Sequence, residues 1–383
     1  MPPIVRLPPI YAITDLATAG ASDHASIAGR LFSVGVALVQ VREKTRSDRE
    51  FLPDLEACAT LGRTEGATVL VNDRTDLARV AGTGVHLGAQ DLPAELARPL
   101  LVPGALIGVS THDDGEAAAA FSAQDPDYVA FGPVFESGTK TTRSARGLDA
   151  LARVAAMKTR PLVAIGGITA ETVAQVLDAG ADSAAMVAGL LAGGRIEENG
   201  RAALDAARRR DFAGRIYLVG FMACGKTTIG RRIAERLHVP FVDLDSEIER
   251  TSGLTVRALF ESAGEAVFRE RESVFLEATA ALPNAVIATG GGAYVRDDNR
   301  RRIASLGTAV FLDPPLSTLI SRLSGKGDRP LFRDTLQAAA LWAEREPFYR
   351  MGSLCVPLND GTVETAADRV LIALDKQRRP EPS

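Results

Sequence analysis

IYLVGFMACGKT, residues 216–227, is the stretch on which the reading of the chain turns. Ile216 to Val219 make a short apolar run suited to a buried strand, and Gly220 to Thr227 fit G-x4-G-K-[ST] directly behind it. An amphipathic segment, IGRRIAERL (229–237), follows and predicts a helix. In a glycine-rich turn the peptide N–H groups converge on phosphate oxygens, and a helix N-terminus adds positive partial charge. Lys226 then reaches the terminal phosphates of a nucleotide, and Thr227 offers a hydroxyl to Mg2+. An accidental glycine turn would not bring strand, loop and helix into register. The segment therefore reads as a phosphate-binding loop opening a parallel-sheet α/β/α domain. Cys224, inside the loop, reads as a small apolar filler.

Upstream of this loop the pattern changes. From residue 8 to about 190, eight short apolar runs alternate with stretches of helical period: 9–14, 37–41, 68–71, 84–87, 106–109, 128–131, 162–165 and 183–187. Near-continuous apolar runs indicate strands buried on both faces, as parallel strands covered by helices are. Eight such units in about 200 residues predict a compact (β/α)8 TIM barrel. Glycines at Gly35, Gly84 and Gly180 precede strands, where a helix ends and the chain turns back. Polar residues collect just after strands: Gln40, Arg42, Lys44, Asn72, Asp73, Asp91, Ser110 and Lys140. Chemistry in such a barrel sits at the carboxyl ends of strands, and a purely structural barrel needs no repeated polar residues there.

At 383 residues the chain is long for one core, so two domains are expected. The reading places the barrel at 1–207, a basic linker at 208–214, the second domain at 215–377 and a polar, proline-containing tail at 378–383. Apolar residues make up 46% and charged residues 24%, which excludes a largely disordered chain. A formal charge of −4 with acidic and basic residues interspersed leaves no basic stripe, so nucleic acid is not an expected partner. No apolar run approaches a bilayer span and no signal-like start is present, which predicts a cytoplasmic protein without a membrane partner. Cys58, Cys224 and Cys355 are widely spaced and predict reduced, non-catalytic thiols.

Downstream of the loop come FVDLD (241–245), EAVFRERE (265–272), TGGGA (289–293), GDRPLF (327–332) and REPFYR (345–350). In this order and spacing they resemble shikimate kinase over residues 215–377. The resemblance implies ATP-dependent phosphorylation of the shikimate 3-hydroxyl with Mg2+. It implies ATP binding by Gly220, Ala223, Cys224, Gly225, Lys226, Thr227, Thr228, Arg322 beside the adenine and Arg329 on the phosphates. It implies shikimate binding by Asp245, Arg269, Gly290, Gly291, Gly292 and Arg345, with Asp245, Lys226 and Arg329 catalytic and Thr227 and Asp243 at the metal. Phosphoryl transfer relies on positioning and charge neutralisation, so two arginines on a planar carboxylate and a carboxylate facing a hydroxyl are apt tools. Taken singly, Asp243 could cap a helix and Arg269 could be a surface ion pair. The loop departs from the usual GFMGxGK form at Ala223, where a methyl group is compatible with a negative φ.

In the first half, YAITD (11–15), QVREK (40–44), VNDR (71–74), GVHLGAQD (84–91), GVSTH (108–112), GPVFESGTK (132–140) and AIGGI (164–168) resemble thiamine-phosphate synthase over residues 8–205. That family couples hydroxymethylpyrimidine diphosphate to a thiazole phosphate and releases pyrophosphate. The resemblance implies diphosphate binding by Gln40, Arg42, Lys44, Asn72 and Lys140, with Ser110 at the pyrimidine and Mg2+ on Asp73 and Asp91. Ser137, Thr139, Gly167, Val187 and Ala188 would serve the thiazole phosphate. Cations and a metal suit the loss of pyrophosphate, which asks for charge stabilisation and no general base. Taken alone, Arg42 and Lys44 could be rim charges and Asp73 a turn carboxylate. Ala89 and Ala188 depart from the family's glutamine and serine. The alternative reading is a thiazole tautomerase-like or non-catalytic ligand-binding barrel beside the kinase; Arg42, Lys44, Asp73 and Asp91 favour the synthase.

Overall fold

The computed structural model describes residues 6–123, 125–136, 144–324, 335–359 and 361–378. The chain divides into two compact units, 1–210 and 211–383.

The first unit is a closed barrel of eight parallel strands in sequence order: β1 Ile10–Ile13, β2 Leu38–Val41, β3 Thr68–Asn72, β4 Gly84–Leu87, β5 Ile107–Thr111, β6 Tyr128–Phe131, β7 Leu162–Ile165 and β8 Ser183–Met186. Closure is direct, with Tyr11 of β1 in register with Ala185 of β8. The continuous apolar runs are explained by two separate cores. Outward residues such as Ile10, Ala12, Val39, Val41, Val69, Val71 and Val85 pack under the helices, while Tyr11, Ile13, Leu38, Leu70, Tyr128 and Val163 fill the barrel. Alternation by two along each strand sends neighbours to opposite cores. Gly35 and Gly180 take left-handed φ values of 99° and 101° and turn the chain into a strand as expected. Gly84 differs: it opens β4 itself, and a Cβ there would lie 2.6 Å from the Leu106 carbonyl oxygen, so close backbone approach explains it.

Of the segment read as a linker, residues 208–211 belong to the helix Ile196–Asp211 and Gly214 begins the next strand. Only Phe212 and Ala213 lie between them, and Phe212 is buried in the core of the second unit. The linker reading underestimated the helix because three consecutive arginines there, Arg208 to Arg210, look like a solvated run; they stand in its last turn, where cations suit the carbonyl end of the dipole.

The second unit holds five parallel strands, β9 Gly214–Val219, β10 Phe241–Asp243, β11 Asn284–Ala288, β12 Thr308–Asp313 and β13 Leu354–Pro357, in the order β10-β11-β9-β12-β13. The chain leaves central β9 toward one edge and later returns to its other side. Such a reversal of order opens a crevice at the carboxyl ends of the strands. The helix Lys226–Leu237, which begins at that crevice, is pinned at its far end. Buried Arg236 donates to Asp368 of the helix Val363–Arg378 over 2.8 Å, and Glu364 accepts from Arg232 at 2.6 Å and from Arg236 at 3.2 Å. Cutting one partner from a buried pair leaves an uncompensated charge. Asp368→Ala is therefore expected to cost about 3–5 kcal/mol. Urea unfolding followed by Trp342, the chain's single tryptophan and part of the helix Thr335–Arg350, checks this; an unshifted midpoint would contradict it.

Candidate active sites

At the barrel's carboxyl rim, Arg42 and Lys44 leave β2, Asp73 follows β3, Asp91 follows β4, Gly167 follows β7, and Val187 and Ala188 follow β8. Asn72 and Ser110 lie within the last residues of β3 and β5. The carboxyl groups of Asp73 and Asp91 lie beside each other. Burial, with Asp91 beside it, raises the pKa of Asp73, while Lys44 and Arg42 oppose the rise. Asp73 has a left-handed φ of 66°; its N–H donates to the His86 carbonyl at 2.8 Å, and Asp91 accepts from the Gly88 N–H at 2.6 Å. The Asp91 carboxylate is thus fixed by backbone, and the main chain of Asp73 is tied to the end of β4. Among the described residues no group of three or more His, Cys, Asp or Glu side chains could hold a metal ion, so a cation here would have two carboxylates and substrate oxygens.

Gln40 does not join this rim. It is 2% exposed and donates to the Tyr11 hydroxyl at 2.7 Å, inside the barrel. From there a chain of contacts runs through Tyr11 and Tyr128 (2.8 Å), Tyr128 and His86 Nδ1 (2.8 Å), and His86 Nε2 and Ser110 (2.9 Å). Burial lowers His86 to about 4, so the imidazole is neutral at pH 7 and the chain carries no net charge to the rim. Gln40 faces inward because it shares β2's inner side with Leu38, a parity that polar character concealed.

Glu43, between Arg42 and Lys44, was given no role on sequence grounds. Its carboxylate accepts from the backbone N–H groups of Lys44 and Thr45, both at 2.7 Å, from the Thr45 hydroxyl and from Arg46 Nε. Arg46 continues to Asp54 at 2.7 Å, and Asp54 accepts from the His24 and Ala25 N–H groups. Burial would raise Glu43, but these donors hold it far below the ordinary carboxylate range. The loop presenting Arg42 and Lys44 is therefore wrapped around one permanent anion. Gly167, at φ 63°, lets the 132–136 segment come close, since a Cβ would lie 2.3 Å from the Glu136 carbonyl oxygen. Ser137, Thr139 and Lys140 lie outside the described residues.

In the second unit the loop 220–225 runs from β9 to the helix Lys226–Leu237. Gly220 has φ 137° and Gly225 φ 104°. Lys226 donates to the carbonyls of Gly220 at 2.8 Å and Phe221 at 2.9 Å, and Thr228 is exposed in the first helical turn. Cys224 is fully buried, as a filler should be. Ala223 has a φ of 62°, not the negative value its methyl group suits. An alanine held there costs about 1–2 kcal/mol relative to glycine. Thr227 donates to Asp243 Oδ2 at 2.6 Å, and Asp243 also caps the helix Leu244–Ser252. Arg329 lies outside the described residues.

Asp245, in the first turn of that helix, has its Oδ1 shut off from solvent with no hydrogen-bond partner among the described residues. Burial raises its pKa; Lys226 and Arg269 oppose the rise and Asp243 adds to it. The glycine triplet makes room for this cluster. A Cβ on Gly290 would lie 2.4 Å from Glu272 Oε1 and 2.8 Å from Asp245 Oδ1, one on Gly292 2.4 Å from Arg269 Nη2, and one on Gly291 3.5 Å from the Met222 nitrogen. Asp245, Arg269, the triplet and the phosphate loop are thus gathered at one place. Arg345 stands near the Tyr349 hydroxyl, which donates to the Gly291 carbonyl.

Glu272 and Tyr349 carry this arrangement and were not singled out from the sequence. Glu272 is fully buried and pairs with Arg269 at 3.0 Å, and Arg269 also lies over Phe268 with 5.2 Å to the ring centroid. Burial raises the Glu272 pKa against the pull of Arg269. The signal was present: Glu272 falls between Phe268 and Leu276 on the apolar face of its helix.

Comparison with known proteins agrees with this division. Residues 10–190 match the thiamine monophosphate synthase family and residues 222–375 the shikimate kinase family. The shikimate kinase of Ruegeria pomeroyi is 41% identical over 164 residues, which cover 42% of this chain and 84% of that protein. That of Neisseria meningitidis is 40% identical over 160 residues, covering 41% of this chain and 91% of the relative. The thiamine-phosphate synthase of Methanoculleus marisnigri is 39% identical over 200 residues, covering 51% and 93%. The chain therefore belongs to two families at once, to thiamine-phosphate synthase through its barrel and to shikimate kinase through its phosphate-loop unit.

Proposed function

We propose that the chain is a bifunctional transferase: its second unit phosphorylates the shikimate 3-hydroxyl from ATP, and its barrel couples hydroxymethylpyrimidine diphosphate to thiazole phosphate with release of pyrophosphate. The observation that carries the kinase reading is the enclosed Oδ1 of Asp245, unpartnered among the described residues and near Lys226 and Arg269. A carboxylate whose pKa is raised is suited to take a proton from an attacking hydroxyl. Lys226 neutralises charge on the transferred phosphoryl group, and the loop N–H groups hold the remaining phosphates. Arg269 and Arg345 hold the acceptor's carboxylate; Glu272 and Tyr349 fix their directions. Thr227 and Asp243, with oxygens 2.6 Å apart, fit a hard cation such as Mg2+. When bound, that ion supplies Lewis-acid neutralisation of phosphate charge.

In the barrel, Arg42 and Lys44 hold the leaving diphosphate, and Asn72 adds an amide. Two carboxyl groups forced together at Asp73 and Asp91 are the arrangement that a shared divalent cation relieves, which supports assigning Mg2+ to them. Ser110, oriented by neutral His86, faces the pyrimidine. The lost serine at Ala188 leaves backbone N–H groups for the thiazole phosphate.

Asp245→Asn and Arg345→Lys should fail differently. Asparagine removes the proton acceptor, so kcat should fall about 10²–10⁴-fold. Lysine keeps charge but loses the planar fork, so the KM for shikimate should rise about tenfold or more with a smaller change in kcat. Equal changes of both constants in both variants would contradict these roles.

Stability should move opposite to activity. Asp245 has a raised folded-state pKa, so its contribution to stability is present below the unfolded value of about 4 and is lost as pH rises through the folded value. Asp245→Asn should therefore raise the urea midpoint at pH 7, with the gain shrinking as pH falls toward 3. A lower midpoint at pH 7 would show that the carboxylate stabilises the fold.

For the barrel, Asp73→Asn and Asp91→Asn should each lower pyrophosphate release by about 10²–10³-fold at saturating Mg2+. Asp73→Asn should also stabilise the ligand-free barrel, because it removes a carboxyl pressed against Asp91. A barrel that isomerises a thiazole carboxylate phosphate under chelation and never couples it to the pyrimidine would be a tautomerase.

A further inference from the structure

Ala223 is the one residue of the loop 220–225, other than its glycines, that stands at positive φ. Its carbonyl oxygen accepts from Arg322 Nη1 at 3.2 Å. Arg322 belongs to the last turn of the helix Leu316–Ser324, 99 residues away in sequence, and its guanidinium lies over the loop: a Cβ on Gly225 would be 3.9 Å from the same Nη1. A left-handed peptide turns its carbonyl away from the direction in which the following N–H groups point. The Ala223 carbonyl shares its peptide plane with the Cys224 N–H, which donates to the Phe221 carbonyl at 3.3 Å, so holding that carbonyl fixes the turn through which the chain enters Gly225 and the helix. A glycine at this position would need no such hold, because it enters the left-handed region freely. An alanine does.

We infer that Arg322 is a positioning residue for the phosphate loop, clamping the Ala223 carbonyl so that a non-glycine residue stays in the left-handed conformation that nucleotide binding requires. The inference rests on the kinase reading for its consequence and on backbone geometry for its cause. It is distinct from any contact of Arg322 with the nucleotide base, because the clamp acts with no nucleotide present.

The test is a double-mutant cycle in the full-length protein, with A223G, R322A and the combined variant. Nucleotide-free urea unfolding is read through Trp342, and KM for ATP and kcat are measured separately. Arg322 is exposed, so its replacement leaves a folded protein. The clamp predicts that R322A lowers the folding equilibrium constant about three- to tenfold more in the wild-type background than in the A223G background. It also predicts that A223G restores part of the KM for ATP lost in R322A. If R322A raises KM equally in both backgrounds and stability is additive, Arg322 acts on the nucleotide alone and the inference is overturned. Coupling in stability with no rescue of KM would overturn it as well, since the contact would then hold the fold without serving the site. Both stability outcomes can be read even if shikimate is not the acceptor, which keeps failure of the clamp separate from failure of the kinase reading.

Discussion

Each unit is organised around a carboxylate that folding makes costly to ionise. Asp245 is enclosed with one oxygen unpartnered among the described residues, and Asp73 is pressed against Asp91. Cations stand near both, Lys226 and Arg269 for one and Lys44 and Arg42 for the other, yet burial outweighs them. A structure selected for stability alone would fill these positions with neutral groups. Contacts remote from the chemistry hold the surrounding elements in place, such as the Arg236–Asp368 pair that ties the phosphate-loop helix to the C-terminal helix. Under the proposed function, two unrelated architectures meet the same demand: a negative centre for a proton or a metal, opposed by positive groups that would receive phosphate.

Position within the fold explains why the demand can be met. In parallel strands every carboxyl end points to one side, so residues far apart in sequence arrive on one rim. The barrel supplies Arg42, Asp73 and Asp91 from three successive strands, and the second unit supplies the phosphate loop from β9, Asp243 from β10 and the glycine triplet after β11. Rigid backing then fixes directions. Glu43 anchors the cation-bearing loop of the barrel, and Glu272 and Tyr349 do the same for the two arginines of the kinase unit. All three act through another residue, which is why their chemistry is invisible until the contacts are drawn.

What local pattern controls was legible before the structure. All eight barrel strands fall on the apolar runs, because burial on both faces leaves an unbroken signature, and the phosphate loop follows from glycine spacing between a strand and a helix. What depends on parity or on distant contacts was not. Gln40 looked like a rim residue because it is polar, yet one place along the strand turns it into the barrel, where it meets Tyr11, itself bonded to Tyr128 from 117 residues away. The linker was misjudged because a run of arginines looks solvated whether it caps a helix or joins two domains. The φ of Ala223 was likewise beyond reach: side-chain identity favours negative φ, and the tertiary clamp that overrides it comes from a helix near residue 322.

The most direct trial of the account is to supply the purified full-length protein with ATP, Mg2+ and each candidate substrate in turn, recording ADP and pyrophosphate together. The account predicts ADP that appears only when shikimate is present, and pyrophosphate that appears only when the pyrimidine diphosphate and the thiazole phosphate are both present. ADP formed at the same rate without shikimate, or no pyrophosphate from the complete pair, would contradict it for the corresponding unit.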